Sequence, residues 1–389
     1  MENECYVCKG ENLRKHNFYD ELCINCGEFS YQKRFIQADL NNYTALVTGA
    51  RVKIGYQTAL KLLRNGARVL ISTRFPEDAK LRYSKESDYE LWKGRLTIYG
   101  IDFRHLPSIE LLIDYIVKEF GDLKIIVNNA AQTIRRPPVF YKHLMKSELA
   151  EINDLSSNTL FEIKGLSRES LSKSSRMILP DFFTLQYNNK VRRSAELTQI
   201  PLLPEDYLMG SEFFPENCFD KDGQQIDRRS ENSWSFRLND VSVIELIEIL
   251  YINTVAPFLL NSRLKSVLAK DKTPSYIINV TAMEGNFSMQ EKSIHHPHTN
   301  MAKAALNMMT RTSANEYAED LIFMNSVDVG YITNEKPYPL NMEPLERRNK
   351  MPLDEIDGAA RICDPIFEGI NNKNFIYGKF LKNFGPNPW

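Results

Sequence analysis

Four of the six cysteines stand in two close pairs, Cys5-x2-Cys8 and Cys23-x2-Cys26, with residues 9–22 between them. Two thiolate pairs at this spacing can close a tetrahedron around Zn²⁺. Four cysteine ligands leave no position for water, so the chemistry implied is structural rather than catalytic. A segment of about forty residues builds little hydrophobic core, and the metal would supply most of its folding energy. The spacing predicts two knuckles that meet across a short β-ribbon, a zinc-ribbon module over residues 1–38. His16 is a spare ligand candidate, read more simply as a loop histidine. Cys218 and Cys363 stand alone.

A second set of residues points at a phosphate. Thr48-Gly49-Ala50-Arg51-Val52-Lys53-Ile54-Gly55 joins an apolar run to a helical pattern. Gly49 permits a tight turn, and Gly55 permits close packing of helix on strand. The helix N-terminus offers free N–H groups and a positive dipole end to a pyrophosphate. A third set is the histidine cluster His295, His296 and His298 in the run HHPHT. Histidine titrates near neutrality and is a competent proton donor. Pro297 fits the first position of the following helix and would turn His298 towards the helix start.

These residues need a frame. Tyr43–Val47, Val69–Ser72, Leu96–Ile101 and Lys124–Val127 read as short buried strands. Ile54–Asn65, closed by Gly66, and Ile109–Phe120 carry apolar residues at helical spacing. Strands alternating with helices of this length predict βαβ units and a parallel sheet. The pattern weakens over residues 132–240 and resumes after them. That stretch is too long for a plain loop. It contains KGLSRESLSKSSR at 164–176, a Ser-rich piece read as a linker. The insertion is read as a surface elaboration, with a lid over the site as the alternative. Hydrophobic residues make up 43% and charged residues 25%, an ordinary soluble balance, and the net charge is −1. Nothing therefore draws the whole molecule to nucleic acid or to an anionic membrane. An uncharged apolar run of about 18 residues is missing, so no membrane span is expected. The N-terminus lacks the apolar core of a secretory signal, and the cytoplasm is the expected compartment.

Further motifs follow in a fixed order. Asn128-Asn129-Ala130-Ala131 ends the fourth strand, and Asn253 lies in the helical run LIEILYINTVAPFLL. IINVTA at 277–282 is a fifth strand. Thr299-Asn300-Met301-Ala302-Lys303 opens a long helix, and Gly330-Tyr331-Ile332-Thr333 follows a sixth strand. In this order they resemble TGxxxGxG, NNAG, the helix asparagine, the serine strand, YxxxK and PGxxxT of the short-chain dehydrogenase/reductase family. The resemblance covers roughly residues 43–131 and 241–340. It implies a doubly wound Rossmann fold over 43–389 that binds a nicotinamide dinucleotide. Asn129 and Ala130 would lie near the cofactor, Asp102 beside the adenine, and Ile332 and Thr333, after Gly330, towards the carboxamide. The second strand ends in Ser72-Thr73-Arg74, without the acid that NAD users place there. Arg74 can fork onto a 2′-phosphate, with Arg51 or Lys53 adding charge, so NADP(H) is the expected cofactor.

The departures from the family pattern concern catalysis. Lys53 replaces the middle glycine of the phosphate loop, and Val329 the proline of PG. Lys303 keeps the lysine position, but Thr299 stands where the tyrosine belongs, and a threonine hydroxyl is far too weak an acid to replace it. Ala282 stands at the serine position, with the Thr281 hydroxyl next to it. His298 is a candidate substitute proton donor, although the histidine run is read more simply as a helix-entry loop packed against the insertion; Glu284 and Tyr331 are further candidates. Two readings stand. One is an atypical NADP(H)-dependent oxidoreductase on an unidentified small carbonyl or alcohol substrate, with Lys303 on the ribose, Asn253 anchoring a water and a nearby His or Thr handling the proton. The other is a catalytically silent NADP(H)-binding scaffold or sensor whose zinc ribbon docks a protein partner. The resemblance also implies a homodimer or homotetramer paired through the helices near Asn253 and Lys303. Basic residues of the ribbon (Lys9, Arg14, Lys15, Lys33, Arg34) would suit nucleic acid, but the balanced net charge argues against it.

Overall fold

The structure is a computed structural model that describes residues 4–11, 14–150, 163–164, 194–208, 210–289, 291–338 and 351–389. The Ser-rich piece read as a linker lies, beyond Lys164, outside the described residues.

Strands β1 (Thr44–Thr48), β2 (Arg68–Thr73), β3 (Leu96–Gly100), β4 (Leu123–Asn128), β6 (Ser275–Thr281) and β7 (Ile322–Asp328) form the centre of one sheet. The sheet is completed by β5 (Ile163–Lys164), β8 (Phe380–Lys382) and β9 (Gly385–Asn387), and its order is β5-β3-β2-β1-β4-β6-β7-β8-β9. Every pairing is parallel except β8 with β9. A parallel strand covered on both faces must be apolar on both, and β1 and β4 are buried throughout. Ala45 and Val47 face one core and Leu46 the other.

On the first face lie helices α2 (Lys53–Arg64) and α8 (Glu355–Asn372); on the second lie α4 (Leu106–Glu119) and α6 (Val243–Arg263). Helix α7 (Pro297–Glu319) packs along β7. The remaining longer helices are α1 (Ile24–Phe35), α3 (Pro76–Tyr83) and α5 (Pro138–Leu149). The order reverses between β1 and β4, the switch point at which doubly wound sheets bind ligands beyond their carboxyl ends.

Helix α6 has the length and composition to cross a membrane, and 44% of its apolar window is buried in the fold. It carries Glu245 and Glu248 inside the fold and sets Ile252, Ala256 and Leu260 into the core. Its middle, Tyr251–Val255, widens into a π turn in which the Ala256 N–H bonds the Tyr251 carbonyl. Pro257 follows and has no N–H to return to Asn253, which accounts for the widening.

The N-terminal module is not a free appendage. Cys5, Tyr19, Leu22 and Cys23 belong to the same core as β1, α2 and α8. Arg34 forks onto Asp354 at 2.7 and 2.9 Å and reaches Asp357 at 2.9 Å, and the Tyr19 hydroxyl donates to Asp357 at 2.6 Å. Those two aspartates form the capping box of α8. The module thus holds the start of that helix.

Candidate functional site

A cleft of about 550 Å³ opens over the carboxyl ends of β1, β2, β3, β4 and β7. Its volume suits a small-molecule site. Its floor follows from the glycine turn. Gly49 adopts φ +66°, and the N–H groups of Gly49 and Ala50 both donate to the Ser72 carbonyl, at 2.9 and 3.2 Å. The Thr48 hydroxyl accepts the N–H groups of Asn129 and Ala130, each at 3.0 Å. The Asn129 amide then donates to the carbonyls of Thr48 and Gly49, at 3.0 and 3.1 Å. A Cβ on Gly55 would lie 2.4 Å from Asn129 Nδ2 and 2.5 Å from the Gly49 oxygen, so only glycine fits where α2 meets the turn. Of the cofactor candidates, Gly49, Arg51, Lys53, Ile54, Gly55, Arg74, Asp102, Asn129, Ala130 and Thr333 line the cleft. Thr48 lies beneath it. Gly330, at φ +87°, takes its N–H to Asp328, and Ile332 is buried where Gly358 of α8 leaves it room.

The charges are not arranged as the sequence suggested. Arg51 is committed to Asp78 at 2.6 Å, and Arg82 shares that carboxylate. Asp102 is wholly buried and gripped by Arg104 at 2.7 Å; Arg104 also reaches Glu248 at 3.0 Å. Lys53 sits at φ +56°, the left-handed region that a glycine would occupy without strain, with its ammonium 3.7 Å from Glu335. Burial pushes Glu335 up, but Lys53 and Arg136 beside it prevail and hold its carboxyl below the usual value. Arg74 differs from these. It has no ion pair among the described residues, bonds the Tyr141 hydroxyl at 2.9 Å and stacks over that ring at 4.6 Å.

Among the described residues, the insertion supplies a wall of the cleft and is not only a surface elaboration. Arg136, Phe140, Tyr141, Asp220, Gln224–Asp227 and Asn232 line it. A buried network fixes this wall: Arg135 forks onto Asp206 at 2.7 and 2.6 Å and approaches Glu248 at 3.4 Å. Periodicity carried no sign of it, because its members lie 71 and 113 positions apart.

The catalytic candidates form a group that does not line the cleft. Lys303 is buried and donates to the Val280 carbonyl at 2.9 Å. Burial lowers its ammonium to about 8, against the pull of Glu284 and Asp328. The Thr281 and Thr299 hydroxyls and both ring nitrogens of His298 are buried without hydrogen bonds, and His298 Nε2 lies 3.5 Å from Glu245 Oε1. Asn253, expected to anchor a water, holds the main chain of Gln132 with both ends, accepting its N–H at 2.8 Å and donating to its carbonyl at 3.0 Å. The run before α7 packs on the insertion: His296 stacks on Trp234 at 4.1 Å, and its N–H donates to the Phe236 carbonyl at 2.7 Å.

The four cysteines converge, their sulfurs all within 4.8 Å of one another. The first pair is a tight knuckle, but the second is not on a strand: Cys23 caps α1, its sulfur accepting the Cys26 N–H, and Cys26 lies in the first turn. Burial resists ionisation of Cys5, yet backbone N–H groups of Cys23, Cys8 and Val7 aimed at its sulfur bring its pKa down to about 6. Sulfurs at these separations, one predisposed to be a thiolate, fit a tetrahedral metal. Sequence reasoning missed Tyr6, inside the first knuckle, whose hydroxyl accepts the Tyr331 N–H at 2.8 Å.

Comparison with known proteins agrees with this geometry. The short chain dehydrogenase family profile matches residues 43–168. An uncharacterized protein, R665, of Acanthamoeba polyphaga mimivirus is 31% identical over 374 residues, which cover 93% of this chain and 71% of that protein. Retinol dehydrogenase 13 of Mus musculus is 34% identical over 95 residues, covering 24% of this chain and 28% of its own length. A short chain dehydrogenase from Burkholderia cenocepacia, solved in complex with NADP, shares the fold at TM-score 0.52 and 16% identity, covering 88% of this chain and 96% of that one. The switch-point cleft, its glycine turn and the matched segment lead to one conclusion: the chain belongs to the short-chain dehydrogenase/reductase family.

Proposed function

We propose that the chain is an NADP(H)-dependent oxidoreductase acting on a carbonyl or alcohol substrate. The observation that carries the cofactor choice is Arg74, a cation at the end of β2 that faces the cleft with no carboxylate partner among the described residues. A 2′-phosphate is the anion that this position meets. The cofactor, when bound, supplies or accepts the hydride. The Gly49 turn and the start of α2 receive the pyrophosphate, and the Asn129 clamp holds that turn in shape. Lys303 exchanges the Val280 carbonyl for the ribose, and His298, backed by Glu245, handles the proton in place of the missing tyrosine. The test is to identify the nucleotide that co-purifies, to titrate NADPH and NADH, and to assay a panel of aldehydes and ketones. Equal affinity for the two cofactors would refute the NADP(H) assignment.

One observation favours a second reading, a silent NADP(H)-binding protein: Thr281, Thr299, His298 and Lys303 are all buried and none lines the cleft. Wild type, Thr299→Ala, His298→Ala and Lys303→Ala decide between the two. Turnover that survives Thr299→Ala and collapses in His298→Ala supports the enzyme. No turnover in any of the four, with nucleotide bound tightly by wild type, supports the silent protein.

The metal of the four-cysteine site is read as one Zn²⁺ per chain, which metal analysis of wild type and of the Cys5→Ser/Cys8→Ser double variant checks. Val243 and Phe258 on α6 and Met301 and Met308 on α7 are exposed. We assign this apolar face to a second copy of the chain; sedimentation of wild type against Phe258→Glu tests it.

A further inference from the structure

The four-cysteine site and the cofactor cleft meet at one side chain. Tyr6 lies between ligands Cys5 and Cys8, in a knuckle closed by the Cys5 N–H on the Gly10 carbonyl at 2.9 Å and the Lys9 N–H on the Cys5 carbonyl at 3.0 Å. A further bond, from the Tyr6 N–H to the Glu21 carbonyl at 2.8 Å, ties the knuckle to the turn before Cys23. The Tyr6 ring packs against the main core. Its hydroxyl accepts the Tyr331 N–H at 2.8 Å and lies 3.4 Å from where a Gly330 Cβ would stand.

The segment that Tyr6 holds is the start of the run after β7. Arg361 bonds the Val329 carbonyl at 3.3 Å, and Leu353 fills the space over Gly330. Three residues further on, Thr333–Lys336 forms one wall of the cleft, and Glu335 pairs with Lys53 of the phosphate turn. The run is therefore pinned at its start by the knuckle and at its end by the phosphate turn.

We propose that Tyr6 is a positioning residue through which metal held by the four cysteines sets the run after β7, so that metal loading and nucleotide binding are coupled. This rests on the nucleotide reading above for its second half only. A knuckle without metal loses the constraint on both residues that flank Tyr6, and the 330–336 wall loses its anchor. Coupling between two sites is reciprocal: whatever factor the metal adds to nucleotide affinity, the nucleotide adds to metal retention.

The experiment compares zinc-loaded wild type, Tyr6→Phe and Tyr19→Phe, full-length in each case, with far-UV circular dichroism checking the fold. Three quantities are read: the amide exchange rate of Tyr331, the dissociation constant for NADPH, and the rate at which a chromogenic chelator strips zinc with and without NADPH. Tyr6→Phe is expected to keep its zinc, expose the Tyr331 amide to faster exchange, weaken NADPH by about three- to tenfold, and make zinc release indifferent to NADPH. In wild type NADPH slows that release. Tyr19→Phe, whose hydroxyl meets Asp357 instead, should match wild type in all three. Unchanged Tyr331 exchange and unchanged NADPH affinity in Tyr6→Phe overturn the proposal. If wild type binds no NADPH, the nucleotide reading fails and the coupling falls with it, while the amide rate still judges the clamp. Should zinc-stripped protein unfold, zinc-loaded Tyr6→Phe remains decisive.

Discussion

Arg74, stacked over Tyr141 at the mouth of the cleft, is where the choice of cofactor becomes measurable. Arg74→Ala is expected to weaken NADPH by about 1.5–3 kcal/mol, the range for a charged hydrogen bond, and to leave NADH nearly unchanged in calorimetric titration. Lys53 answers a different question. Its left-handed backbone costs about 1–2 kcal/mol for a residue with a side chain, so Lys53→Gly should melt above Lys53→Ala, both having lost the Glu335 pair. If the ammonium also meets phosphate, both variants bind nucleotide more weakly than wild type. Lys303 predicts a pH dependence. Burial holds its ammonium at about 8, against an ordinary lysine value of 10.5, so the folded chain releases this proton before the unfolded chain does. Stability rises with pH across that interval, by at most about 3 kcal/mol. Chemical denaturation from pH 7 to 11 should show the rise in wild type and lose it in Lys303→Met.

Elements differ in how far the sequence reveals them. The six central strands were legible because each is buried almost throughout and reads as a short, mostly apolar run. The glycine turn was legible because its requirement is local. Helix α5 and the wall it begins were not, since Phe140 and Tyr141 owe their place to Phe75 and Phe214, far away in the chain. The partner of the Asn253 side chain was hidden for a related reason. Sequence puts an asparagine in a helix, but the π turn before Pro257 decides what it meets, and here it meets both main-chain polar groups of Gln132. Asn253→Ala leaves those groups unpartnered and should cost about 1–3 kcal/mol. Asn253→Asp keeps the acceptor but buries a carboxylate against the Gln132 carbonyl and should cost at least as much; an unchanged midpoint for both variants in urea melts would show that the clamp is not what matters.

For the whole molecule, the sequence suggested a module tethered to a domain, whereas the cysteine segment shares the main core. Spacing found the four cysteines because a metal site would need only sulfurs that are close in sequence. It could not find the docking, since Arg34 meets Asp354 across 320 positions and Tyr6 meets Tyr331 across 325. Removing residues 1–38 should therefore destabilise the Rossmann fold itself, with a lower thermal midpoint and faster proteolysis at α8, rather than trim a separate unit. The same distances set an order of events during synthesis. Residues 5–34 leave the ribosome some 320 residues before the surface that buries them, around Asp354, Asp357 and Phe384, which packs on Phe29. Until then Tyr19, Leu22 and the cysteine knuckle face solvent, held only by whatever metal they have captured. A cell short of that metal would expose the defect in newly made chains, while copies already folded stayed intact.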